Sequence, residues 1–161
     1  MAHNMRVLIT DLRFETSLAR WKKLDPTLKA LAVMASAVSI GCSWCVDFGY
    51  WETTNRGIDP VKMRDVPRWR DSDVYTALEH QVMEYAEAVT ATPPAVTDEM
   101  VADLRRELDD AALVELTMMV AVENTRSRFN SALGLHSQGF KDRCEIPETP
   151  ARVAAVRTTA S

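Results

Sequence analysis

Two cysteines three positions apart, Cys42 and Cys45, stand in the stretch Ser39-Ile40-Gly41-Cys42-Ser43-Trp44-Cys45-Val46-Asp47-Phe48-Gly49-Tyr50. No other stretch of the chain combines reactive side chains with so definite a spacing. Gly41 ends whatever precedes it, and the residues beyond Cys42 can continue as a helix. At that spacing both thiols fall within one helical turn, on neighbouring parts of one face. The first thiol then sits at the helix N-terminus, where unpaired N–H groups and the positive end of the dipole favour a thiolate. A thiolate is the nucleophile in disulfide exchange and in peroxide reduction, so a pair placed this way can be oxidised and re-reduced.

The chemistry needs a scaffold, and the composition suits a helical one. The chain has 161 residues, 47% hydrophobic and 26% charged, with only 5 glycines. That fits one soluble domain able to bury its own core, with Ala, Leu, Met, Glu and Arg leaning towards helices. A net charge of −4 argues against nucleic-acid binding. The local cluster Arg56, Lys62, Arg64, Arg68 and Arg70, with Trp69 inside it, is better read as a solvated loop or a subunit contact. Three cysteines, an odd count with two of them too close in sequence to staple distant parts of a fold, are not a secreted disulfide framework. No signal peptide is evident, because Asp11, Arg13 and Glu15 interrupt the early apolar residues. The apolar run from Ala30 to Ile40 is about half the length of a bilayer span. A cytoplasmic, non-membrane protein is the expectation, and in a reducing compartment a CxxC reads as catalytic or metal-binding.

The elements that must position the pair are legible in part. Leu8, Leu12, Phe14 and Leu18 can share one helical face. Asp25-Pro26 is a helix start, followed by Leu28, Leu31, Ala32, Met34, Ala35 and Val38 at helical spacing and a stop at Gly41. A second helix is expected from about Ser43 to Arg56, rich in rings (Trp44, Phe48, Tyr50, Trp51) that belong to a core or a subunit interface. Residues 58–70 read as a short helix between loops. Asp71 or Ser72 is expected to cap a helix to about Val89, with Val74, Leu78, Val82, Tyr85 and Val89 inward, broken by Thr92-Pro93-Pro94. Thr97 caps a shorter helix. Asp109 or Asp110 begins the longest, to about Leu135, whose first half (111–122) is apolar nearly all round and should be enclosed by other helices. No strand-like alternation is present, so the fold class is all-α, with about six to seven helices. Residues 1–144 are expected to form the domain and 145–161, rich in Pro, Thr, Ala and Arg, a flexible tail.

Taken together, the ordered set resembles the carboxymuconolactone decarboxylase and AhpD-like (alkyl hydroperoxidase D) family. It comprises a buried helix leading into Gly-Cys-Ser-Trp-Cys-Val-Asp, Arg-Gly-Ile-Asp-Pro soon after, and Thr97-Asp98-Glu99-Met100-Val101. Asp109-Asp110-Ala111-Ala112-Leu113-Val114-Glu115-Leu116-Thr117 and then Glu123-Asn124 with Arg128-Phe129 complete it. The resemblance spans about residues 22–136. It implies a compact AhpD-like helical fold assembled as a homo-oligomer, a trimer or hexamer. It also implies thiol-dependent peroxidase or disulfide reductase activity with no bound cofactor and no metal. The substrate would be a hydroperoxide or a disulfide, and an external thiol would donate electrons. It assigns Cys45 as the peroxidatic cysteine and Cys42 as the resolving one, whereas the helix-end argument makes Cys42 the more acidic thiol.

The chain departs from that pattern at two places. The family's active peroxidases carry a Glu twelve residues before the first Cys and a His four after the second; here these are Ala30 and Gly49. Neither can move a proton, so peroxide reduction should be slower by about one to three orders of magnitude unless another group serves. Asp47 and Glu52 flank the pair, and His80, Glu84, Glu115 or His136 are the other candidates, none placed by spacing. Three alternatives remain open at this point. One is a lactone decarboxylase using Arg56, Arg126 and Arg128. Another is a non-catalytic helical oligomer that keeps its cysteines as small buried hydrophobes. The last is a zinc site of Cys42, Cys45, Cys144 and a histidine.

Overall fold

The computed structural model describes residues 3–143. The expected tail 145–161 and Cys144 lie outside them. Among the described residues there are seven α-helices and no strand: α1 (Met5–Leu18), α2 (Pro26–Ile40), α3 (Ser43–Asn55), α4 (Pro60–Asp65), α5 (Ala77–Thr90), α6 (Asp98–Glu107) and α7 (Asp110–Ala132). Two short 3-10 turns, Val66–Asp71 and Lys141–Arg143, complete the set.

The helix at the centre is α2. Asp25 caps it by accepting from Thr27 N at 2.8 Å and Leu28 N at 3.2 Å, with Pro26 in the first turn. Leu28, Leu31 and Met34 are buried on one side and Ala30, Ala32, Ala35 and Ala37 around much of the rest, with Ser36 buried among them, so most of its circumference is enclosed. The small alanines let α5, α7 and α3 approach it closely, and those helices cover it. One core runs from α2 through Val82, Met83 and Ala86 of α5 to Leu113, Leu116 and Val120 of α7.

Three expectations need correction. Helix α5 starts at Ala77, not after Asp71 or Ser72. Thr76 is its cap, in a reciprocal box with Glu79, whose carboxylate accepts from Thr76 N at 2.8 Å while Glu79 N donates to Thr76 Oγ1 at 3.2 Å. Ser72 is unavailable as a cap because its hydroxyl donates to Asp65 Oδ2 at 2.5 Å, and Val74 is therefore exposed rather than inward. The first half of α7 is not enclosed, since Val114 and Met118 face outward at 68% and 41% exposure. On α1 only Leu18 is buried, against Met119, Val122, Trp21 and Val33; Leu12 and Phe14 are exposed.

The basic cluster behaves as a charged surface. Lys62 pairs with Glu79, Arg68 with Asp65 and Arg70 with Glu87. Trp69 is buried and donates its ring N–H to Glu87 at 2.8 Å. No described helix is long and apolar enough to cross a membrane.

Candidate redox site

The turn from α2 to α3 carries the cysteines. Gly41 takes the left-handed conformation (φ 81°) that a side chain would strain, and Cys42 N then donates to Ala37 O at 3.0 Å. The chain thereby reverses within two residues and Cys42 becomes the N-cap of α3. Its Sγ accepts from Cys45 N at 3.3 Å, the place an oxygen occupies in an ordinary cap. Cys42 and Cys45 are joined as a disulfide, their Cα atoms 5.3 Å apart.

The two sulfurs have different surroundings. Cys42 is 2% exposed and packs on Ala37, whereas Cys45, at 8%, borders a cavity of about 490 Å³. The cavity lies between α1, α3 and α7 and is walled largely by Phe14, Trp44, Phe48, Val122 and Phe129, with Val33 of α2. Trp44 and Phe48 stack with centroids 5.0 Å apart. Gly49 also lines it, and a Cβ there would come within 2.7 Å of Met34 Sδ, so the family's His could stand at this position only if Met34 moved. Ala30 lies buried in α2.

Polar groups reach Cys45 from α7. Ser127 Oγ is 3.4 Å and Asn130 Nδ2 3.5 Å from its Sγ. Ser127, fully buried, is also 2.7 Å from Glu123 Oε1. One hydroxyl hydrogen thus has two acceptors in reach, a sulfur on one side and a carboxylate on the other. Glu123 is 3% exposed, and burial pushes its carboxyl above the ordinary range, against the lowering by Ser127 and by Arg126, whose Nη1 lies 3.5 Å from Oε2. Although burial opposes its charge, Arg126 has its pKa raised by Glu15 of α1, with which it makes a two-pronged ion pair, and by Glu123.

None of the six substitutes considered from the sequence contacts either sulfur. Asp47, at 1% exposure, points away and binds the segment after α7, accepting from Ser137 Oγ and from the backbone N–H groups of Gln138, Phe140 and Lys141 at 2.8–3.1 Å. Glu52 lines the cavity but pairs with Arg56 at 2.8 Å. His80 packs against Trp69 and Tyr75, Glu115 pairs with Lys29, and Glu84 and His136 are exposed. Glu123 and Ser127 were missed as partners of the pair. The signal for them was the switch from apolar to polar halfway along α7, which with four-residue spacing puts 123 and 127 on one face. Of the three arginines suggested for lactone decarboxylation, Arg126 borders the cavity, and it is already neutralised by two carboxylates; Arg56 and Arg128 are exposed. Among the described residues no group of three or more His, Cys, Asp and Glu is placed to hold a metal ion. The zinc alternative also called on Cys144, which is not described.

A helical fold wrapped round a CxxC-bearing turn defines the class, and comparison with known proteins agrees. The chain belongs to the carboxymuconolactone decarboxylase family, whose model matches residues 8–88. It is 36% identical over 125 residues to the uncharacterized protein YnjA of Escherichia coli K12, covering 78% of this chain and 67% of that one. It is 25% identical over 112 residues to the uncharacterized protein YdfG of Bacillus subtilis 168, covering 69% and 76%. Among solved structures it is similar to an Agrobacterium tumefaciens protein of unknown function, ATU0492, a putative antioxidant defence protein AhpD. That match has a TM-score of 0.77 and 22% identity, over 84% of this chain and 93% of that one. It is also similar to a variant of the debrominase Bmp8 in complex with 2,3,4-tribromopyrrole (TM-score 0.80, 19% identity, 89% and 76% covered). At those identities the likeness is one of fold, and the fold is the AhpD-like helical one.

Proposed function

We propose that the protein is a thiol-dependent oxidoreductase that reduces hydroperoxides by cycling Cys42 and Cys45 between dithiol and disulfide. The observation that carries this is the asymmetry of the pair: Cys45 borders an open cavity while Cys42, which does not line it, caps a helix through its sulfur. Each position suits one half of a cycle. The Cys45 thiolate attacks the outer peroxide oxygen, the O–O bond breaks, an alcohol leaves and Cys45 becomes a sulfenic acid. The Cys42 thiolate, held by the amide of Cys45 and by the N-terminal dipole of α3, attacks that sulfur; the S–S bond forms and water leaves. An external thiol then attacks Cys45 from the cavity and Cys42 departs as the better leaving group, restoring the dithiol after a second thiol attack. In this reading the helix-end argument and the family assignment are compatible, with the more acidic thiol as the resolving and leaving sulfur. A cytoplasmic setting supplies the donor thiol.

Thiol titration tests this. Reduced protein treated with one equivalent of cumene hydroperoxide should lose two free thiols per chain and gain them back with dithiothreitol. Unchanged thiol counts after complete peroxide exposure overturn the reading. A second reading is favoured by the aromatic walls of the cavity, which fit a flat ring. In it the same dithiol, becoming a disulfide, replaces bromine on an aromatic ring by hydrogen and releases bromide. Bromide release from a brominated pyrrole, with no peroxide consumption, would select it.

The proposal includes self-assembly into a trimer or hexamer. The rings of α3 do not supply the exposed surface anticipated for it, since Phe140 packs edge-on to Phe48 and beside Trp51. Met5, Ile9 and Leu12 of α1 and Val114 and Met118 of α7 do, at 41–68% exposure. Sedimentation equilibrium should give a trimer or larger; a monomer at micromolar concentration overturns this part.

A further inference from the structure

We propose that Ser127 and Glu123 are the proton relay of Cys45, built from α7 in place of the Glu and His that Ala30 and Gly49 replace. The inference rests on the peroxide-reducing reading above and adds to it the route of the proton.

The geometry is a line of three side chains: Cys45 Sγ, Ser127 Oγ at 3.4 Å, and Glu123 Oε1 a further 2.7 Å on. Residues 123 and 127 are one helical turn apart, so a single rigid helix fixes both. All three are buried, with Ser127 fully enclosed, so water does not compete for the hydroxyl. In the dithiol form the thiol donates to Ser127 Oγ and the Ser127 hydroxyl donates to the Glu123 carboxylate. One concerted shift leaves a thiolate, a hydroxyl now donating to it, and a protonated Glu123. The thiolate attacks the outer oxygen of the hydroperoxide. Glu123, itself a wall of the cavity, returns the proton to the departing alkoxide. The sum is thiol plus hydroperoxide giving sulfenic acid plus alcohol, with Glu123 and Ser127 restored.

The charged groups around Glu123 suit the task. Arg126 on its own helix is shared with Glu15 of α1, and Asp11 of α1 and Glu52 of α3 border the same cavity. Val33, from α2, is uncharged. Burial raises the Glu123 carboxyl towards the thiol, which narrows the gap the proton must cross. Arg126 keeps the carboxylate accessible in spite of that burial.

The test uses the full chain in reduced form and compares two reactions of Cys45. Consumption of cumene hydroperoxide needs a thiolate and a returned proton; alkylation by iodoacetamide needs the thiolate alone. In the wild type the peroxide step should follow a bell in pH, with an acid limb from Glu123 and an alkaline limb from the thiol. Glu123→Gln and Ser127→Ala should each slow that step about 10²-fold near neutral pH. Each should also reduce the bell to a single rise, while alkylation at the same pH, which needs the thiolate but no returned proton, falls by a smaller factor. The double variant should be no slower than either single one, because the groups act in series. Peroxide and alkylation rates falling by the same factor, or neither falling, overturn the relay. If wild-type protein itself consumes no peroxide, the parent reading fails instead, and that outcome is separately visible.

Discussion

Replacing Cys45 by serine should abolish hydroperoxide consumption, and replacing Cys42 by serine should limit it to one equivalent per chain. These are the largest changes expected of any single substitution, and they differ in kind. Cys45 is the cysteine that borders the cavity, and a serine hydroxyl there, near neutral pH, offers almost no anion to attack oxygen. Without Cys42 the first step still runs, but the sulfenic acid has no thiolate beside it to close the S–S bond. It should accumulate and be trapped by dimedone on Cys45, located by peptide mass. Both variants belong in a Cys144→Ser background, so that the third thiol neither resolves the intermediate nor masks it. Serine is close to cysteine in size and both sites are buried, so folding should survive, as circular dichroism would check. Cys45→Ser consuming peroxide at the wild-type rate, or Cys42→Ser turning over without limit, would contradict the assignment.

What the sequence disclosed and what it withheld have physical causes. Caps and stops are local, so Asp25-Pro26, Gly41, Thr97 and Asp109 bound their helices as expected. The start of α5 was misjudged because Asp71, Ser72 and Thr76 are all cap residues by type. The choice among them was made by tertiary partners, Asp65 holding Ser72 and Lys62 bracing Glu79. The all-α class, the family and the joined cysteines were legible because they rest on order and spacing along the chain. The partner of Cys45 was not, since Ser127 lies 82 residues away and no rule of spacing links two helices that meet side by side. Glu115 and Glu123 look alike in sequence. Only packing shows that the first is spent on Lys29 and Lys23 N while the second is left facing the sulfur's hydroxyl partner.

The same distinction between local and long-range sets the second large effect, at Asp47. Two residues beyond Cys45, its carboxylate holds four donors of the 137–141 segment, and Ser137 N donates to Ser43 Oγ at 3.3 Å beside it. Burial alone would push this carboxyl up, but the hydrogen bonds from Lys141, Phe140, Gln138 and Ser137 outweigh it and hold the pKa at about 2, below 3.8. A folded-state pKa below the unfolded one stabilises the protein fully above about pH 4 and loses that stabilisation as pH falls towards 2. The shift corresponds to about 1–2 kcal/mol once screening near the rim of the fold is allowed for. Asp47→Ala also strands the donors, so the loss at pH 7 should be about 2–3 kcal/mol in urea unfolding. The gap between variant and wild type should narrow by about that 1–2 kcal/mol as the pH is lowered from 4 to 2, leaving the part due to the stranded donors; a gap that stays constant over that range would refute the account. The consequence reaches the site, because the segment brings Phe140 against Phe48, and Phe48 both stacks on Trp44 and walls the cavity. Freed of Asp47, that wall loosens, so the variant should raise KM for a bulky hydroperoxide more than it lowers kcat. Trp44 and Trp51 fluorescence should shift to the red as the rings gain water.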